Sequence, residues 1–158
     1  MAYSSAAYSV SLPVQHKFPM YKYAGVRDTL ALEGLTILEP PRPDWTLVER
    51  VHSDAYLRKL RFGTLEAKEV RLLGFPWSPE LVERALRATG GTLQAARDAL
   101  GTGLGINLAG GTHHAYADHG EGFCVLNDVA IAVHDLQVTQ QLERILILDL
   151  DVHQGNGS

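Results

Sequence analysis

One cysteine, Cys124, stands in the whole sequence, so an intramolecular disulfide is excluded and a reducing compartment is the expectation. Basic residues do not cluster. The 14 Lys and Arg are scattered among 18 acidic residues, giving a formal charge of -4. Without a basic stripe the chain lacks the footprint of a nucleic-acid binder. No apolar run approaches the roughly 20 residues that cross a bilayer. Met1 to Val10 has no Lys or Arg ahead of an apolar stretch, so no secretory signal is read there. The expectation is a cytoplasmic protein with no membrane and no nucleic-acid partner. Several chemical signatures are missing as well. There is no P-loop, no H-E-x-x-H, no C-x-x-C pair and no G-x-S-x-G elbow. Gly101, Gly103 and Gly105 precede an expected strand, whereas a dinucleotide fingerprint follows one.

What is present suits one domain or a large piece of one: 158 residues, 46% of them hydrophobic. Tyr8 to Val14 alternates weakly, as a strand would. A helix is expected near Gly25 to Glu33. Leu35 to Leu38 is a short apolar run, stopped by Glu39-Pro40-Pro41-Arg42-Pro43. Ser53 is placed to cap a helix through Arg61. Ser78-Pro79 opens another, cap then proline, which Gly90-Gly91 is expected to bend or divide. Leu104 to Ala109 reads as a buried strand. Asn127 or Asp128 can cap a helix to about Val138, and Arg144 to Leu150 reads as a second strand covered on both faces. Strand, helix and strand make a right-handed βαβ unit.

Sites in open α/β sheets form at the carboxyl ends of strands. Gly110-Gly111-Thr112-His113-His114 follows the first expected strand, and Asp149-Leu150-Asp151-Val152-His153 ends the second. Both clusters therefore fall on one edge of the sheet. Alternation in extended backbone points Asp149, Asp151 and His153 the same way. Two carboxylates and an imidazole beside an apolar strand need a cation or strong hydrogen bonds. Oxygen and nitrogen donors of this kind suit a divalent ion such as zinc. The bland alternative, an Asp capping a helix and a surface His, carries similar weight for an isolated D-x-D-x-H. Beside a metal, His113-His114 makes sense as a proton-transfer pair. Gly122 permits tight backbone beside a substrate. Phe123 could be plain core, Cys124 is read as buried and structural, and His16, His52, His119 and His134 as ordinary.

Taken together, Val51-His52-Ser53-Asp54-Ala55-Tyr56-Leu57, Gly110 to Ala115, Gly122 to Asp128 and Asp149 to Gly157 resemble the histone deacetylase and acetoin-utilisation family in order and spacing. Gln154-Gly155-Asn156-Gly157 and His16-Lys17-Phe18-Pro19-Met20 are most similar to class IV enzymes and their bacterial relatives. The resemblance implies an arginase-like α/β fold, a three-layer sandwich with a mainly parallel sheet, incomplete at the C-terminus. Residues 1–158 would be the N-terminal part of a single deacetylase-like domain. It implies Asp151 and His153 as ligands of zinc (or ferrous iron), His113 and His114 as the catalytic pair, and Asp149 and Asn156 as their partners. Gly122 and Phe123 would wall the substrate tunnel. A structural potassium ion would sit at Asp149, Asp151 and His153. The implied activity is hydrolysis of an acylated lysine, polyamine or small acyl-amine. Two departures stand out. Asn156 replaces the Asp of many members, so a neutral amide faces His114, which suits a base. The loop Gly74 to Pro79 lacks the Asp that many relatives carry at the tunnel rim. The third metal ligand and the acyl-polarising tyrosine of the family have no match within the chain. The rival reading is a non-catalytic binding module that self-associates through the sheet edge at Arg144 to Leu150.

Overall fold

The computed structural model describes residues 1–158. Strand β1 (Ala2–Tyr3) leads into a 3-10 turn (Ala6–Tyr8), helix α1 (Lys22–Leu32), strand β2 (Ile37–Leu38) and helix α2 (Trp45–Val48). Helices α3 (Asp54–Phe62), α4 (Ala67–Leu73), α5 (Pro79–Thr102) and α6 (Asp128–Gln140) follow. The caps explain where the helices begin. Ser53 Oγ accepts from Tyr56 N at 3.3 Å and Ser78 Oγ from Leu81 N at 3.1 Å. Asn127 Oδ1 accepts from Ala130 N at 2.9 Å, so Asn127, and not Asp128, caps α6.

α5 is the spine of the molecule and packs along α6. Leu81, Leu86 and Leu93 of α5 share one apolar core with Leu57 and Leu60 of α3, Leu73, Phe75, Val125, Leu126 and Ile131. Gly90-Gly91 does not divide this helix, which runs unbroken through both. The glycines serve packing instead: a Cβ on Gly90 would stand 1.8 Å from Pro41 O.

β1 and β2 pair in parallel, Ala2 opposite Ile37 and Tyr3 opposite Leu38. On the other side of β1, Tyr3 N donates to Ile106 O and Leu108 N to Tyr3 O, each at 2.9 Å. The strand expected at Leu104 to Ala109 thus shrinks to a parallel bridge at Asn107. Tyr8 to Val14 is not a strand either; Tyr8 ends the 3-10 turn and is fully buried. The largest correction falls on Arg144 to Leu150. This run has no strand partner within the chain, and a strand exists only by pairing. Leu146, Leu148 and Leu150 are 89%, 75% and 85% exposed, not covered on both faces, and the expected βαβ unit does not close.

Candidate active site

The loop carrying the tandem histidines is held from beneath by one carboxylate. Asp128, in the first turn of α6, is fully buried. Its Oδ1 accepts from Thr112 N at 2.8 Å and its Oδ2 from Gly111 N at 3.1 Å. The hydroxyls of Thr92 and Thr112 donate to the same group. A buried charge needs such a set of donors, and the set fixes the backbone immediately before His113.

Each histidine of the pair has its own partner. His113 is buried, and its Nδ1 lies 2.6 Å from Asp149 Oδ2. A carboxylate only accepts, so the ring donates, and this bond holds the Asp149 carboxyl below the usual carboxylate range. His114 Nδ1 lies 2.5 Å from Asn156 Oδ1 and donates to that carbonyl oxygen. Both rings thereby keep Nε2 free, and their centroids are 4.2 Å apart. The two expected clusters do meet, although neither expected strand forms.

Around Asp151 the backbone turns to its own side chains. Asp151 N donates to Asp149 Oδ1 at 2.9 Å and His153 N to Asp151 Oδ1 at 2.7 Å. These local bonds replace the missing ladder. Asp151 Oδ1 also lies 2.9 Å from His153 Nδ1. The backbone N–H and ring of His153 hold the Asp151 carboxyl below its ordinary range. Carboxylate oxygen and imidazole nitrogen are donor types that zinc takes, but here the two are engaged with each other, His153 Nδ1–H donating to Asp151 Oδ1. No third Asp, Glu, His or Cys of the chain completes a metal-binding group with them.

Asp151, His153, His113 and His114 line one cleft of about 400 Å³, together with Gly122 and Phe123. Asp149 stands behind it, touching His113. Gly122 is required by space and by φ 54°, because a Cβ there would meet His114 Cδ2 at 2.7 Å. Phe123 has φ 68°, an unusual value for a non-glycine residue. It is held by Phe123 N donating to Leu73 O at 2.8 Å and by ring contacts with Phe18 and Phe75 at 5.1 Å. Cys124 also faces the cleft, and burial pushes its thiol up to about 11. A larger cavity of about 520 Å³ between Trp45 and Trp77 has no histidine, no cysteine and no aspartate in its wall.

Sequence reasoning passed over three residues that build this arrangement. His52 was read as ordinary, yet its Nδ1–H donates to Tyr116 O and its Nε2 accepts from Asn127 N, both at 2.9 Å. Asn127 Nδ2 reaches Ala115 O and Gly157 O at 3.0 Å, joining the histidine loop to the segment after the metal pair. Asp128 was read only as a cap. Its position directly after the Gly122 to Asn127 loop was the available signal. His16, likewise read as ordinary, donates from Nε2 to Gly74 O at 2.9 Å and stacks on Phe75.

Residues 16–158 match the model of the histone deacetylase domain. An uncharacterised protein of Picosynechococcus sp. is 44% identical over 155 residues, covering 96% of this chain and 52% of that protein. Histone deacetylase 2 of Arabidopsis thaliana is 31% identical over 166 residues, covering 97% of this chain and 43% of that one. The crystal structure of the HDA15 HD domain superposes with a TM-score of 0.77 at 21% identity, covering 99% of this chain and 48% of that chain. The fold is therefore that of a histone deacetylase HD domain, and the chain spans about half the length of the curated relatives it matches.

Proposed function

The chain belongs to the histone deacetylase domain family, and from that premise we propose that it carries the histidine half of a metal-dependent amide hydrolase acting on acylated lysine or a similar amine. Residues 1–158 are then the N-terminal part of one such domain. One observation carries the reading: His113 with Asp149, His114 with Asn156, and the pair Asp151 and His153 all meet at one cleft.

Asp151 and His153 would hold the ion, zinc being the one that suits these donors and ferrous iron the alternative. Such an ion acidifies a water and polarises an acyl oxygen. The remaining chemistry belongs to the chain. His114, oriented through Nδ1 by a neutral amide, offers Nε2 to take a proton from the attacking water. His113, whose Nδ1–H donates to Asp149, also keeps Nε2 free, and a histidine of the pair delivers a proton to the leaving amine. Gly122 and Phe123 wall the acyl group away from water. A third ligand and an oxyanion donor come from outside these residues. The amine-bearing substrate reads as acyl-lysine, with acyl-polyamine and small acyl-amines as alternatives. A structural potassium ion beside Asp149 belongs to the same proposal, as does a cytoplasmic location. No helix is long and apolar enough to cross a membrane.

The test is metal-dependent release of carboxylate from acyl-lysine peptides by the protein that contains this chain, compared with its His114→Ala variant. Turnover that survives the substitution unchanged would remove the pair from the chemistry. A second reading, a self-assembling module without catalysis, rests on the exposed run Leu146, Leu148, Leu150 and Val152. Intact mass of the purified protein against its gene separates the two.

A further inference from the structure

The cleft holds a cation that no anion of the chain neutralises. Arg84, on α5, is 4% exposed. Its Nε–H donates to Tyr8 O at 2.9 Å and an Nη2–H to the Tyr23 hydroxyl at 2.7 Å. Arg87 and Arg97 on the same helix each pair with a carboxylate, and Arg84 pairs with none. Its guanidinium lies instead 5.0 Å from the Tyr23 ring centre and 5.6 Å from those of Phe18 and Phe75. Nη1 has no protein partner, and it is not among the buried polar atoms sealed without one. Arg84 lines one cleft with His113, His114, Asp151 and His153. Lys22 lines the same cleft, its Nζ over the Phe18 ring at 4.9 Å.

A buried cation with only neutral partners is costly and is compensated by an anion. The planar guanidinium fork matches a carboxylate with two parallel bonds. Tyr23 accepts from Arg84 and so keeps its own proton to donate, and burial holds its phenol above the ordinary value. Arg84 makes no hydrogen bond to His113 or His114. Arg84 and the histidine pair line one cleft, so an acyl chain whose amide meets the histidines can extend its far end to Arg84.

We propose that Arg84, Tyr23 and Lys22 form a carboxylate subsite and that the acyl group removed ends in a carboxylate, as malonyl-, succinyl- or glutaryl-lysine does. This rests on the amide-hydrolase reading of the same cleft. The amide C–N bond breaks, the water oxygen joins the acyl carbon and its proton goes to the amine. The products are a dicarboxylate and free lysine.

The experiment uses the full-length protein that contains this chain. Turnover of succinyl-lysine and acetyl-lysine peptides is compared, and calorimetry measures binding of N-methylsuccinamate against the uncharged N-methylbutyramide. The succinyl peptide is expected to be preferred, and the succinyl-to-acetyl ratio of kcat/KM to fall roughly 10–100-fold in Arg84→Met, the worth of a charge-assisted hydrogen bond. Tyr23→Phe is the second variant, in case Arg84→Met does not fold, and should lower the same ratio about tenfold. Equal or acetyl-favouring turnover, an unmoved ratio in Tyr23→Phe, or a change in product inhibition alone would overturn the proposal. If neither peptide is turned over, the hydrolase reading fails by itself. Preferential binding of N-methylsuccinamate, weakened in Tyr23→Phe, would then still support the subsite, and its absence would overturn it.

Discussion

Replacing His52 by alanine should be among the most damaging single changes in the chain. The ring is 2% exposed and satisfies two backbone groups, Tyr116 O and Asn127 N. A buried backbone group without its partner costs about 1–3 kcal/mol, so two such groups cost roughly 2–6 kcal/mol. A cavity the size of an imidazole adds about 1 kcal/mol more at ~24 cal/mol per Å³. Against a typical stability of about 5–15 kcal/mol, that is a large share. Glutamine offers a donor and an acceptor on one side chain, so His52→Gln should recover a good part of the loss. Urea unfolding of the two variants and the wild type measures both. A loss below about 1 kcal/mol for His52→Ala, or no advantage for glutamine, would refute the hydrogen-bond reasoning. The same residue sets a pH dependence. Burial lowers the His52 imidazole from its ordinary 6.5. The folded state therefore resists a proton that the unfolded state accepts. Its contribution is present in full above about 6.5 and is lost as pH falls below that value through the folded one. His52→Gln should flatten this part of the stability curve, and unfolding measured between neutral and mildly acidic pH reads it directly.

Other outcomes follow from the site. Asp151→Ala should abolish stoichiometric metal in the purified full-length protein, and metal analysis showing equal content would remove Asp151 from the metal site. Phe123→Ala should shift turnover toward bulkier acyl chains while costing less than the roughly 3–5 kcal/mol of a deleted core aromatic; a full-size loss with unchanged preference would return Phe123 to the core. Asp128→Asn turns a donor toward Gly111 N or Thr112 N and should cost roughly 2–4 kcal/mol in thermal unfolding, since bonds to a charged group are worth about 1.5–3 kcal/mol each. Residues 1–158 expressed alone should show no metal-dependent deacylation, because catalytic zinc normally takes three protein ligands, and turnover abolished by His114→Ala would contradict this.

The helix starts were legible because capping is local chemistry. Ser53, Ser78 and Asn127 announce their helices within three residues. The pairing of His113 with Asp149 and of His114 with Asn156 was implied by the resemblance, and both contacts are present. The strands were not legible. Periodicity shows that Ile145 to Leu148 is apolar, but only a neighbouring strand can make it a strand, and none within the chain does. Gly90-Gly91 misled for a related reason: helix propensity is local, whereas the approach of Pro41 is not. The long-range contacts of His52, Asn127 and Arg84 were missed because the partners lie 75, 30 and 76 residues away, beyond any spacing rule.

Asn127 has a consequence for how the site answers to its surroundings. The amide ties Ala115 O to Gly157 O without carrying a charge. Ionic strength screens charged pairs over a Debye length of about 8–10 Å, and a neutral amide is indifferent to it. The spacing between the two loops should therefore hold across salt concentrations that would weaken the attraction of the carboxylate-bearing substrate proposed for the cleft. Added salt would then raise KM and leave the turnover of bound substrate nearly untouched.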